Sequence, residues 1–369
     1  SASTSSLASI TINGDLNVDA NAGAYGDATA ELYSVSANAL DNAEAVISID
    51  GDLSISATGN YAQASIYYPK ATAYTDSIAT ITIGGDLNVT ANSRVGNPNA
   101  TAPYGKDADV FVGTFSAYAS DNSGQGNSIA TINIGGDVLA SAVAASNADV
   151  WFGGMEASAD YGSQALINVA GNVSVIADGL SYATASMGSL YASASDSSSL
   201  DGASAEINIG GNVLVSAHGV GYADASIDGI YAYANNNSGT GDVSSTITVG
   251  GSVAVEAIAT SGSAYAYMDS LYASASTTSE AVINIGGDLT LRAEGTGDAS
   301  AYLRQLYASA SANSLASISI GSGSNGGDLT ISAQADSSAA AYLLGLYASA
   351  SANSLASISI GGDLTLSAV

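Results

Sequence analysis

An acidic residue recurs in one fixed setting along the whole chain. It follows the last glycine of phrases such as SITINGDLNVDA near the start and SISIGGDLTLSA at the end. Carboxylate oxygens are the ligands that Ca²⁺ prefers, and stacked carboxylates repel one another unless a cation lies between them. The column is therefore a candidate calcium site, formed by Asp15, Asp52, Asp86, Asp137, Asp288, Asp328 and Asp363.

The spacing of this column favours a structural interpretation over calcium binding. Calcium-binding nonapeptide repeats read Gly-Gly-x-Gly-x-Asp and supply one acidic ligand in every nonapeptide, whereas Ser252 and Asp288 are 36 residues apart. Asn172, Asn212 and Ser252 also replace Asp in three copies. Asp, Asn and Ser side chains all close turns by hydrogen bonding to the backbone. The sequence therefore predicts an Asx-type turn first, with Ca²⁺ as the one candidate cofactor.

Tyrosine occupies a second recurring position, within phrases such as ADASIDGIYAYA and AAAYLLGLYASA. Stacked aromatic side chains stabilise parallel arrays of strands, and exposed aromatic residues are enriched where proteins contact one another. A third use is stacking on carbohydrate rings. The predicted interaction surface consists of Tyr191, Tyr231, Tyr272, Tyr307 and Tyr347. A parallel set on the preceding strand consists of Tyr267, Tyr302 and Tyr342.

No residues recur at a catalytic spacing, and we predict that the chain is not an enzyme. His218 is the only histidine, and no Ser/Asp arrangement stands at a spacing that makes it a general base. Cysteine is absent, which removes disulfides, thiolate chemistry and cysteine–metal sites. The Gly-Gly-Asp phrase precedes a second strand, whereas a phosphate-binding loop precedes a helix.

The net charge of the chain argues against negatively charged partners. Lys and Arg number 5 against 33 Asp and Glu, so the formal net charge is −28. Nucleic acid and anionic membrane surfaces attract basic residues, so we expect neither as a partner. No stretch approaches the roughly 20 apolar residues of a membrane helix, so we expect no membrane insertion. The chain opens at Ser1 without Met or a basic segment, which fits a secreted chain after signal-peptide removal and equally an arbitrary boundary of the sequence.

Both phrases predict strands, because each alternates apolar and polar residues; the acidic position lies at the turn between two strands, and the Tyr position lies in a strand. In the last copy Ile358, Ile360 and Leu364 fall on one face, and Ser359 and Thr365 fall on the other. The longest spacing between successive copies, from Asp86 to Asp137, contains an insertion at about 92–107. Residues 1–369 are predicted to form a single β-repeat domain.

The predicted fold is all-β, a repetitive β-solenoid of stacked β-arches with about ten units of 35–40 residues. Each phrase is nearly palindromic about a turn, so that turn is either an arch between sheets or a hairpin within one sheet. A hairpin meander leaves an apolar face bare unless a second molecule covers it, which favours the solenoid. One unit makes one four-strand coil or two shorter coils, giving a rod of about 50 Å or about 100 Å at about 4.8 Å per layer.

The phrase SISIGGDLTLSA resembles the repeats of filamentous-haemagglutinin-like secreted surface proteins, which also run Gly-Asp/Asn-Leu-x-Leu-x-Ala. This resemblance covers about a third of each unit and implies a β-solenoid on the cell exterior, often an adhesin. The Tyr-Ala-Ser-Ala phrase departs from that family. The Ala, Ser and Gly content and the stacked arches also resemble the amyloid-like sheath proteins of some methanogenic archaea.

These features together predict an extracellular structural protein at the cell surface. It would assemble with itself into a filament, sheath or surface layer, because strand ends without a polar cap pair with further strands. The alternative is a monomeric adhesin stalk that binds carbohydrate or a host surface. Recognition would then lie on the Tyr column or on the insertion at about 92–107.

Overall fold

The computed structural model describes residues 1–22, 26–93, 107–121, 128–196, 202–237, 242–321 and 326–369. Within these ranges the chain forms strands and no helix. None of the described residues therefore belongs to a helix that is long and apolar enough to cross a membrane. Each repeat unit makes one coil, in which the chain passes through three sheets in turn. The predicted all-β solenoid is confirmed.

The first sheet is built from the Ile-rich half of the repeated phrase. Its β-branched residues suit a pleated, half-buried surface, and alternate positions point inward to form columns such as Ile81, Ile132 and Ile167. Its strands are Leu7–Ile12, Glu44–Ile49, Ile78–Ile83, Ile129–Ile134, Gln164–Val169, Ser204–Ile209, Val243–Val249, Ser279–Ile285, Leu315–Ile320 and Leu355–Ile360.

The second sheet follows the Gly-Asp turn and is built from the Leu/Val-rich half of the phrase. The two halves lie in different sheets, so the turn is an arch and not a hairpin. Its strands are Leu16–Asn21, Leu53–Thr58, Leu87–Asn92, Val138–Ala144, Val173–Gly179, Val213–Gly219, Val253–Ala259, Leu289–Gly295, Leu329–Ala335 and Leu364–Ala368.

The third sheet is built from the tyrosine phrase and packs against both other sheets. Its strands are Ala2–Ser3, Ala28–Leu40, Ala62–Tyr74, Ala108–Val112, Phe115–Ser120, Asn147–Phe152, Met155–Asp160, Tyr182–Met187, Leu190–Asp196, Tyr222–Asn236, Ser263–Ser276, Asp298–Ser311 and Ser338–Ser351.

The prediction of a turn within the tyrosine phrase is wrong for those coils in which a single strand runs through the whole phrase. In Ser263–Ser276 the alternation shifts phase, so that Ser270 and Leu271 both point inward. Met268 and Leu271 are an odd number of residues apart, and strict alternation would place one of them in solvent. The phase shift keeps both in the core. In other coils a short break, such as Gly153–Gly154, divides the strand at this bend.

All pairings among the described strands are parallel and join equivalent positions of successive coils. This excludes the hairpin meander, which requires antiparallel neighbours. Each unit is one coil and not two, so ten layers at about 4.8 Å give a length of about 50 Å.

One hydrophobic cluster extends through the coils from Ala2 to Ala333. Ile, Leu and Val line the arch between the first two sheets, and Ala fills most inward positions elsewhere. Phe115 and Phe152 are larger exceptions that contact each other, with ring centroids 5.8 Å apart. Because equivalent residues stack in every coil, each coil presents to the next nearly the same surface that it receives.

Candidate assembly surfaces

The Asp column forms a ladder of hydrogen bonds between coils. The Asp137 N–H donates to Asp86 Oδ1 at 2.8 Å, and the Asp86 N–H donates to Asp52 Oδ1 at 2.8 Å. The same bond recurs along the described column, with the neutral oxygens of Asn172, Asn212 and Ser252 as acceptors where Asp is replaced. Each side chain therefore satisfies a backbone amide of the next coil at the arch, where the sheet ladder is interrupted.

This ladder explains why glycine precedes the acidic residue. A Cβ on Gly136 would lie 1.9 Å from Asp86 Oδ1, and a Cβ on Gly85 would lie 1.9 Å from Asp52 Oδ1. No side chain fits there unless the carboxylate of the coil beneath moves away. Glycine, the acceptor side chain and the amide above them act as one interlock, which we call the Gly–Asp interlock. It recurs at Gly51, Gly85, Gly136, Gly171, Gly211, Gly251, Gly287 and Gly362.

The calcium hypothesis for the Asp column stays a prediction. One carboxylate oxygen of each described member below Asp363 already accepts the amide of the next coil. Among the residues that the structure describes, no three His, Cys, Asp or Glu side chains are grouped so as to hold a metal ion. The neutral members Asn172, Asn212 and Ser252 make the same bond without any cation.

The two end coils expose apolar side chains that inner coils bury. Ile10 is 58% exposed, whereas Ile47, its partner in the next coil, is 8% exposed. At the opposite end Leu364 is 46% exposed, whereas Leu329 in the coil beneath is fully buried. The outermost strands therefore combine unpaired backbone groups with an apolar surface, the combination that pairs most readily with another strand.

The end coils also carry the two unmatched halves of the Gly–Asp interlock. In the first coil no carboxylate lies beneath Gly14, and nothing stands within 4 Å of the position that its Cβ would occupy. The Asp15 N–H likewise has no acceptor side chain below it. Among the described residues, no amide of a further coil donates to the Asp363 carboxylate. The Asp363 carboxylate is thus an open acceptor, and the Asp15 N–H is an open donor with space beside it.

The predicted Tyr positions lie in register on the outward face of the third sheet. Tyr272 and Tyr307 stack with centroids 4.8 Å apart and planes at 10°, and Tyr307 contacts Tyr347 at 6.2 Å. The column deviates at Tyr231, whose hydroxyl donates to Asp269 Oδ2 at 3.0 Å. There Tyr233 contacts the rings of the coils on either side.

Tyr233 was missed by the sequence analysis, although a signal existed. The phrase IYAYA has Tyr at the position where other copies, such as LYASA, have Ser. Because side chains two residues apart lie side by side on one face of a strand, Tyr233 is placed to fill the column when the Tyr231 ring leans away.

Burial, together with neighbouring carboxylates, raises the pKa of two tyrosines, Tyr267 and Tyr222, above the ordinary value. Tyr267 donates to Asp269 Oδ1 at 2.9 Å, and Arg304 pairs with the same carboxylate at 3.1 Å. Burial, followed by the hydrogen bond to Asp269 and its charge, raises the pKa of Tyr267 to about 12. Burial and the Asp224 carboxylate likewise raise the pKa of Tyr222 to about 12. These tyrosines therefore act as packing and hydrogen-bonding groups at neutral pH.

A second aromatic column crosses the early coils and was not predicted. Tyr33 stacks on Tyr67 at 5.1 Å, Tyr67 contacts Phe111 at 5.0 Å, and Phe111 stacks on Trp151 at 4.5 Å. Four different local phrases supply these residues, so no repeated motif marks them. Only the register of the coils brings them together.

Two other features of the sequence are His218 and the insertion at about 92–107. His218 lies at the end of a second-sheet strand, where Nε2 is 3.2 Å from the Ser216 hydroxyl. Of the insertion at about 92–107, residues 94–106 lie outside the described residues.

In comparisons with protein-family models, curated proteins and solved structures, nothing matches this chain. The resemblance to filamentous-haemagglutinin-like proteins, and the weaker one to archaeal sheath proteins, therefore stay predictions.

Proposed function

We propose that this chain is an extracellular structural protein whose copies stack head to tail into a filament, sheath or surface layer. The observation that supports this proposal is the repetition of one stacking register, in which each coil presents to the next nearly the same surface that it receives. The first and last described coils carry matching residues in that register, including both halves of the Gly–Asp interlock.

The residues of the two ends match in the register that stacking requires. SASTSSLASITINGDLNVDA at residues 1–20 aligns with SASANSLASISIGGDLTLSA at residues 349–368, and thirteen of the twenty positions are identical. Five of the six inward positions are identical, and the sixth pairs Val18 with Leu366. The first coil of one copy thus resembles the coil that would follow the last coil of another.

Stacking in this register buries the exposed apolar groups of the first and second sheets. Ile10 of one copy would cover Ile358 of another, and Leu16 would cover Leu364. Each half-exposed Leu or Ile buried in this way contributes about 1 kcal/mol. Asp363 would accept the Asp15 N–H, with its carboxylate in the open space beside Gly14. In the third sheet the first coil contributes only Ala2–Ser3, so the first and second sheets form most of the joint.

The joint is heterologous, because the surface of the last coil meets the different surface of the first coil. Heterologous contacts that do not close into a ring propagate without limit. The coil axis is the direction of growth, so the expected product is a polar filament about as wide as one coil. Sheaths or layers would follow from lateral contacts, for which the Tyr column is the candidate surface.

The test compares Ile10→Lys with Thr11→Lys by negative-stain electron microscopy of the purified chain. Ile10 is an inward position that is left uncovered in the first coil, whereas Thr11 points outward on the same strand. We expect wild type and Thr11→Lys to form filaments and Ile10→Lys to remain as short rods. Ile10 is already exposed in the single chain, so its substitution leaves the fold largely intact.

The same grids with calcium and with chelator test the metal hypothesis. We expect the filaments to persist in chelator, because in the interlock a backbone N–H donates to a side-chain oxygen, and the neutral Asn172 and Asn212 accept this bond in the same way as the carboxylates. Loss of filaments in chelator alone would instead make the Asp column a metal site. Isolated rods of wild-type protein at high concentration in both conditions would overturn the assembly proposal and favour the monomeric adhesin.

A further inference from the structure

The outward aromatic column of the early coils stops at Trp151. In the next two coils, serines occupy the same position. Phe111 stacks on one face of Trp151. The positions in register with Trp151 in the next two coils are Ser186 and Ser226, and the third is Tyr267. Tyr267 then starts a second aromatic stack with Tyr302, at 5.3 Å and 15°. We call the gap between Trp151 and Tyr267 the Trp151 notch.

The dimensions of the notch follow from the coil spacing. Three strand steps separate Trp151 from Tyr267, which is about 14 Å. The Trp151 and Phe111 planes lie 18° apart, so the free face of the indole looks along the coil axis into the notch. No aromatic side chain of the described residues stacks on that face, and Trp151 is 42% exposed. A ring of ligand size fits over Trp151 with only small side chains beneath it.

Polar groups surround this aromatic face. The floor is formed by the Ser186 and Ser226 hydroxyls, which lie 3.1 Å from each other. A groove of about 350 Å³ adjoins Trp151 along the bend of the third sheet, and its walls include Glu156, Tyr191 and Asp228. Glu156 and Asp228 are both exposed at its edge. The site therefore offers one flat apolar face, several hydroxyls and two carboxylates.

We propose that the Trp151 notch binds a hexose ring of a neutral oligosaccharide. A pyranose has an apolar C–H face for the indole and hydroxyls on its edge that both donate and accept, as the serines and carboxylates require. The carboxylates and the net charge of −28 disfavour uronic or sulfated sugars. This site lies on the lateral face, away from the end coils, and does not depend on head-to-tail assembly.

The test uses the fluorescence of Trp151, which is the only tryptophan of the chain. The full chain is titrated with cellohexaose, mannohexaose and chitohexaose, with oligogalacturonate as the anionic control and arginine as the cationic control. We expect a saturable change in emission with at least one neutral sugar. Stacking of one ring gives a Kd on the order of 1 mM.

A blocking variant separates specific stacking from general effects on the fluorescence. Ser186→Tyr extends the aromatic column over Trp151, as Tyr302 does over Tyr267, and should weaken binding by roughly tenfold or more while retaining the reporter. Ser174→Tyr, an outward serine of the second sheet, is the matched control and should bind as the wild type does. The proposal is overturned if only arginine or oligogalacturonate changes the emission, if no probe does, or if Ser186→Tyr binds the neutral sugar unchanged.

Discussion

The Gly–Asp interlock makes a quantitative prediction about two residues in different coils. In Gly136→Ala the new Cβ would lie 1.9 Å from Asp86 Oδ1 and 3.1 Å from the Asp86 backbone nitrogen. The carboxylate is the part that can move, and by moving it gives up its bond to the Asp137 N–H. In an Asp86→Ala background no carboxylate is present to be displaced. The effects of the two substitutions should therefore be strongly non-additive.

The magnitude follows from the single hydrogen bond that both substitutions remove. The Asp137 N–H to Asp86 Oδ1 distance is 2.8 Å, and the turn is exposed to water, so the bond contributes about 1 kcal/mol. Asp86→Ala should cost about that much. Gly136→Ala loses the same bond but gains about 0.5 kcal/mol because the unfolded chain becomes less flexible. The double variant loses the bond only once, so the coupling energy should be about 1 kcal/mol.

Amide hydrogen exchange of Asp137 is a suitable assay, because a stack of coils unfolds in parts and a single melting midpoint would blur the effect. Asp86→Ala should speed exchange at Asp137 by roughly fivefold and Gly136→Ala by roughly twofold, and the double variant should exchange no faster than Asp86→Ala. Asp86→Asn should exchange as the wild type does, since Asn172 makes the same bond to Asn212 at 2.8 Å. Coupling below about 0.3 kcal/mol would refute the interlock.

Two further predictions concern the third sheet. Burial raises the pKa of Asp224 above its ordinary value, an effect that the Tyr222 hydroxyl only partly offsets. The folded chain therefore binds this proton more readily than the unfolded chain, so stability falls as pH rises from the ordinary pKa of 3.8 through the raised one. Asp224→Asn should raise the thermal midpoint at pH 7, with the gain vanishing in strong acid; a gain independent of pH would contradict this. Tyr307→Ser, measured in the non-assembling Ile10→Lys background, should cost about 1 kcal/mol of stability through the lost ring contacts, whereas Tyr307→Phe should cost little. Equal costs would show that the hydroxyl matters and the stack does not.

The fold was largely predictable because the same alternation of apolar and polar residues recurs in successive copies of the repeat. Alternation in SISIGGDLTLSA separates inward Ile358 from outward Ser359, and ten copies leave little doubt about which face is buried. The predicted Asx-type turn is wrong in its partner, although a side-chain oxygen does accept a backbone N–H at the arch. A local turn would bond within one coil, whereas the Asp86 carboxylate reaches the coil above. Only the vertical register shows this, together with the reason for glycine at position 136.

The third sheet was harder to predict because its pattern has two interpretations. An odd spacing between Met268 and Leu271 suggests a turn that resets the alternation, and a phase shift inside a continuous strand resets it equally well. The Trp151 notch was beyond prediction for a different reason. Its residues come from four coils with unlike phrases, so no local pattern joins Trp151 to Ser186, Ser226 and Tyr267.

The arch at Gly14 in the first coil shows which hydrogen bonds stacking would change. At inner arches the second glycine donates its N–H to the glycine of the coil beneath, as Gly51 does to the Gly14 carbonyl and Gly85 to the Gly51 carbonyl. Gly14 has no coil beneath it, and its N–H turns back to Ile12 O at 3.1 Å with a φ of 136°. A second copy would offer the Gly362 carbonyl in its place and the Asp363 carboxylate to the neighbouring amide. In a stack of copies, the local bond from Gly14 to Ile12 would be replaced by the two bonds that the fully described inner arches make. Under the proposed assembly, this exchange would occur at each joint between copies.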